Sequence, residues 1–172
     1  MARIQLTLAG QYKANNPITE QPFTNADTIT LVPGIHIPVA YWKVPVGADW
    51  EIPTIIVPFF MKLYDAYGVE LPPETRIYIG VRGPVNEQIK ELGSETYFTW
   101  SMLSLVQQMS KDYSDRCAFD LELVRDKPEV QAVGLRSDER LYLLLEIPVG
   151  FTPVVFKPLN SHVSFFIEEK KA

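Results

Sequence analysis

Apolar residues recur at every second position along much of this chain, and that pattern limits the fold more than any other feature. Ile4, Leu6 and Leu8 alternate with Arg3, Gln5 and Thr7. Ile77, Ile79 and Val81 alternate with Arg76, Tyr78, Gly80 and Arg82. Cys117, Phe119, Leu121 and Leu123 alternate with Arg116, Ala118, Asp120 and Glu122, and Val163, Phe165 and Ile167 with His162, Ser164 and Glu168. Successive side chains of a strand point to opposite faces, so each run buries one face. A chain written this way is all-β, a sandwich or barrel with helices confined to connections. The expected core comprises Ile4, Leu6, Ile77, Ile79, Phe119, Leu121, Leu143, Leu145, Phe165 and Ile167.

The 172 residues suit one domain, 1–172, with enough chain to bury a core without staples. Further strands are expected at 28–32, 35–44, 139–147 and 154–157. Between the first two strands lies a polar stretch, 11–25, read as a long loop or a flexible arm. Residues 54–67 fit either a helical face or an alternating strand. The following Asp65-Ala66-Tyr67-Gly68, a turn closed by glycine, favours a hairpin. Two short helices are expected in connections, Asn86–Leu92 ending at Gly93 and Ser101–Met109. Eight or more strands with helices only in the connections point to a jelly roll, two four-stranded sheets face to face. An immunoglobulin-like sandwich usually reads as shorter, more evenly spaced strands. Fourteen prolines punctuate strand edges and turns, a usage that also suits a protein built for heat.

Groups that usually do chemistry are scarce. The two histidines, His36 and His162, have no histidine neighbour and fall on the outward phase of their strands, so no metal-ligand set is expected. The single cysteine, Cys117, excludes an internal disulfide and reads as a buried thiol. No Gly-x-Ser-x-Gly elbow occurs, and Gly80-Val81-Arg82-Gly83-Pro84 lacks phosphate-loop spacing. Carboxylates such as Glu51 and Glu70 are read as solvated. We therefore expect no enzyme, no metal and no cofactor. A net charge of -5 argues against nucleic acid as a partner. The start lacks a signal-peptide run and no stretch nears the ~20 apolar residues of a membrane span, so synthesis in a cytoplasm is expected.

What stands out instead is apolar material on the outward phase. Trp42, Tyr142, Leu144 and Phe166 all alternate with the expected core positions, and several such residues on neighbouring strands mark an interaction surface. These four are the candidate interface residues.

In size, in the polar segment after the first strand, in its proline-rich strands and in its opening Met1-Ala2-Arg3-Ile4-Gln5-Leu6-Thr7-Leu8, the chain resembles the small major capsid proteins of membrane-containing icosahedral Thermus bacteriophages. That resemblance implies a single jelly roll in the virion, forming capsomers with itself and with a larger capsid partner over an internal membrane. A phage decoration protein would carry the same features. A carbohydrate-binding sandwich used for receptor binding is the competing class, with Trp42, Trp50 and Trp100 as stacking platforms.

Overall fold

The computed structural model describes residues 2–53, 59–83, 88–97 and 132–171. Strands dominate them. In chain order these are β1 (Ala2–Thr7), β2 (Tyr12–Lys13), β3 (Ile29–Leu31), β4 (Ile37–Lys43), β5 (Ala48–Pro53), β6 (Phe59–Lys62), β7 (Arg76–Arg82), β8 (Lys90–Thr96), β9 (Ala132–Leu135), β10 (Arg140–Glu146), β11 (Val154–Phe156) and β12 (His162–Lys171). A 3-10 turn, Pro158–Asn160, leads into β12.

Two main sheets face each other. One has the order β2-β1-β12-β5-β9, with β6 also paired to β12. The other runs β4-β10-β7-β8, and a small third sheet joins β11 to β3. Neighbours in both large sheets are mostly distant in sequence, as jelly-roll winding demands. β12 is the backbone of the first sheet. β1 lines one edge from Ala2↔Glu169 to Thr7↔Ser164, while β6 and β5 share the other edge in tandem.

The inward phase of each strand meets in one core. Ile4, Leu6, Ile77, Ile79, Leu143, Leu145, Phe165 and Ile167 are all buried in it, as the alternation requires. The expected strand 116–125, with Phe119 and Leu121, lies outside the described residues, as do the expected helix 101–109 and Cys117. The hairpin reading of 54–67 holds from Phe59 onward. β6 leads into a turn in which Gly68 takes φ 80° and its N–H reaches the Asp65 carbonyl, and Tyr64 then pairs with Glu70.

Two expectations are corrected. Lys90–Leu92, placed in a helix by the local Asn86-to-Gly93 pattern, belong to strand β8, where Lys90 and Glu91 pair with Val81 and Gly80 of β7. Pairing to a neighbouring strand outweighs a short run with cap-like ends, since a helix of about two turns is marginal without tertiary packing. Trp42, expected to face outward, is 1% exposed and faces the core. The cause is a bulge. Along β10, Leu145 opposes Ile37 and Leu144 opposes Pro38, but Leu143 opposes Ala40. Val39 is the extra residue, and beyond it the phase of β4 flips, so Ala40 and Trp42 point in and Tyr41 points out. The Trp42 ring meets Phe165 edge-on at 5.7 Å, and its indole N–H donates to the Thr7 carbonyl at 2.9 Å, tying one sheet to the other.

The polar stretch 11–25 bridges the sheets: Tyr12–Lys13 form β2 of the first, and Asn15 then joins the edge of the second. Asn15 and Tyr41 exchange both backbone hydrogen bonds, and the buried Asn16 side chain accepts from the Ile18 N–H. Arg140 on β10 then pairs with Glu20 at 3.0 Å.

Candidate assembly surface

The outward residues of the second sheet form a layer of their own. Tyr41, Tyr142 and Leu144 are each 3% exposed and cluster apart from the main core, with Tyr78 and Ile89 packed on them. The Tyr41 and Tyr142 rings lie 5.3 Å apart. The Arg140 guanidinium sits 4.5 Å from the Tyr41 ring centre and Arg82 sits 5.5 Å from that of Tyr142, so cations lie over the electron-rich faces. Gly80 makes room for this layer: a Cβ there would stand 2.5 Å from Ile89 and 3.2 Å from the Lys90 carbonyl. Burial pushes the Tyr41 phenol above its ordinary pKa. It does the same to Tyr78, which also donates to Glu146 at 2.8 Å.

Of the four candidate interface residues, Tyr142 and Leu144 thus share one patch but are covered within the chain, and Trp42 belongs to the core. Phe166 stands apart on the other sheet. It is half-buried, with the Arg3 guanidinium 4.5 Å from its ring centre.

The exposed apolar residues lie elsewhere, in turns. Between β3 and β4 the Pro33-Gly34 turn presents Val32 and Ile35, 45% and 52% exposed. Between β10 and β11 the Pro148-Val149-Gly150 turn presents Val149 and Phe151, 83% and 41% exposed. The two turns touch. The Gly34 N–H donates to the Ile147 carbonyl, and a Cβ on Gly34 would stand 3.0 Å from the Val149 side chain. The hairpin turn after β6 joins them, because Ala66 donates to Val155 while β11 pairs with β3. Tyr67, 86% exposed, thereby flanks the same end of the sandwich. Five large apolar side chains on three adjoining turns make an exposed rim of the kind that marks a contact surface.

The remaining polar candidates are engaged or isolated. His36 sits between Glu91 and Glu146, whereas His162 lines an open cleft of about 490 Å³ with Gln5, Thr7 and Ser164. Glu51 pairs with Lys170, and Glu70 accepts from the buried Tyr97 phenol, whose pKa burial and that bond push up. Among the described residues no three His, Cys, Asp or Glu side chains come together to hold a metal. The indole of Trp50 donates to Glu169 at 2.8 Å and that of Trp42 to Thr7, both from buried positions, so neither offers a face to a sugar. Trp100 lies outside the described residues.

The rim escapes a reading by alternation because its residues belong to turns. The signal that could have found it is the recurrence of Pro-x-Gly or Pro-Gly turns flanked by bulky apolar residues.

Comparison with known proteins agrees with a shell protein. None of the curated protein sequences matches. Among solved structures, VP17, a capsid protein of bacteriophage P23-77, is similar in fold, with a TM-score of 0.52 at 8% identity over 99% of this chain and 96% of that one. The family model described as "Major capsid protein VP16-like" matches residues 36–165, from the start of β4 into β12. The chain belongs to the VP16-like major capsid protein family and is a structural protein of the virion.

Proposed function

We propose that this chain builds an icosahedral shell together with a larger capsid partner, over an internal membrane, and that the apolar rim is one of its contacts. The observation that carries the contact is the exposure of Val32, Ile35, Tyr67, Val149 and Phe151 on three adjoining turns. Water-exposed apolar side chains on turns held by backbone hydrogen bonds, two of the three also carrying a proline, gain from burial at little ordering cost. A lattice repeats such a contact many times, so a modest contact suffices for a stable shell. The role is mechanical rather than catalytic, resting on the family rather than on a reactive site.

Phe166 remains a second contact candidate through its partial exposure. Trp42, Tyr142 and Leu144 would serve the interface indirectly, by holding β4 and β10 and hence the turns at their ends.

The test is Val149→Glu with Phe151→Glu in the full chain. The double variant should keep the circular-dichroism spectrum and unfolding midpoint of the parent while its assembly with the larger capsid protein, followed by sedimentation, is lost. Normal assembly by the folded variant would overturn the rim as a contact. A particle complete without this chain would instead point to decoration of a finished shell.

A further inference from the structure

His36 stands between the Val32–Ile35 turn and the start of β4, and its ring lies back across the outer face of the second sheet. The ring stacks on Tyr78 of β7, with centres 4.0 Å apart and planes at 23°. Its Nδ1 is 2.7 Å from Glu91 on β8, and its Nε2 is 3.5 Å from Glu146 on β10. The charged and titratable groups facing it from each strand are therefore Glu146 of β10, Tyr78 of β7 and Glu91 of β8. Arg76, at the start of β7, pairs in register with Glu146 and donates to Ser94 on β8. One side chain entering from β4 thus reaches across all the other strands of this sheet.

An ionised carboxylate only accepts hydrogen bonds, whereas a neutral imidazole carries a single N–H. With the ring neutral, one carboxylate faces a nitrogen lone pair. With both nitrogens protonated, both contacts attract, and the cation also lies over the Tyr78 ring. We propose that His36 is a proton-operated clasp that holds the Val32–Ile35 turn, and with it one side of the apolar rim, when the ring is charged and releases it when the ring is neutral. Its link to assembly rests on the rim being a contact surface; the clasp itself does not. Histidine is the side chain whose charge ordinarily changes between pH 5 and 8, which makes that window the one in which to test the clasp.

The test follows backbone amide exchange of residues 29–40 in the full chain at pH 6 and pH 8, corrected for the intrinsic exchange rate. The segment should exchange roughly two- to fivefold more slowly at pH 6, the size expected of a partly exposed ion pair. His36→Gln should remove that difference, and so should Glu91→Gln, which leaves the histidine in place but neutralises its partner on the far strand. His162→Gln, in the cleft of the other sheet, should leave it intact. An absent difference in the parent, or one that survives in either His36→Gln or Glu91→Gln, would overturn the clasp. Assembly of the Val149→Glu/Phe151→Glu variant separates the two readings. If that variant assembles while the exchange difference of the parent stands, the rim falls and the clasp remains.

Discussion

The outer faces of the two large sheets are built to different ends. On the first sheet, Arg3 and Gln5 of β1 oppose Glu168 and Phe166 of β12, and Gln5 donates to Ser164 at 2.6 Å. Further along, Glu51 pairs with Lys170. Among the side chains described, this face is polar and wet, and Phe166 on it is only half-buried. On the second sheet the same phase carries Tyr41, Tyr78, Tyr142 and Leu144, roofed by Ile89, Arg82 and Arg140 and closed at one end by His36. Alternation specifies which residues share a face. Whether that face is dry depends on what packs over it.

The sharpest way to break the comparison is to put one charge on each face. Leu144→Glu would bury an unpaired carboxylate among Tyr41, Tyr142 and Ile89, so urea unfolding should show a loss of about 3–5 kcal/mol or outright failure to fold. A Leu144→Glu protein of unchanged midpoint would mean that the second layer is not packed. Gly80→Ala tests the roof itself. The added methyl meets Ile89 and the Lys90 carbonyl, and overpacking of this kind costs about 1–3 kcal/mol.

The tyrosines offer a comparison by pH. Tyr41, Tyr78 and Tyr97 all have folded pKa values above the ordinary 10.0, so the unfolded chain loses these protons first as the pH rises. Their contribution is whole below pH 10 and is lost above it, so the unfolding midpoint should fall from about pH 10 upward. Tyr78→Phe should flatten part of that fall, and an unchanged curve would contradict the burial of this phenol. Arg140→Gln removes the guanidinium from Tyr41 and the pair with Glu20, which is 59% exposed; a loss of about 1 kcal/mol is expected, mostly from the stacked contact. Last, Phe166→Glu on the wet face should shift stability by no more than about 0.5 kcal/mol. A large loss there would show that the first sheet's outer face is as dependent on packing as the second's.

The inward phase was legible wherever a strand runs without interruption. Leu141, Leu143 and Leu145 in β10, and Val163, Phe165 and Ile167 in β12, are buried as their spacing implies. It failed where a single residue is inserted. The bulge at Val39 reverses the phase of β4, and only the adjacent Pro38, which cannot donate to a ladder, hints at it. A second irregularity lies between Ile79 and Gly80, where Gly93 opposes one and Glu91 the other. Leu92, the residue left over, turns into the core and helped the segment to look helical. The rim was hidden for a different reason. Turn residues have no period, so their exposure follows from how three connections meet at one end, a long-range fact.

The placement of β12 has a consequence in time. Its partners are spread across the chain, with Gln5 and Ser164 separated by 159 residues and Glu169 bonded to Trp50 over 119. Closing such distant pairings costs loop entropy before any contact is made, and chains dominated by them fold in milliseconds to seconds rather than microseconds. Until β12 is seated, β1, β5 and β6 all present open edges able to pair with other chains. For a protein that must accumulate in many copies, the interval before this one strand docks is when aggregation competes with folding.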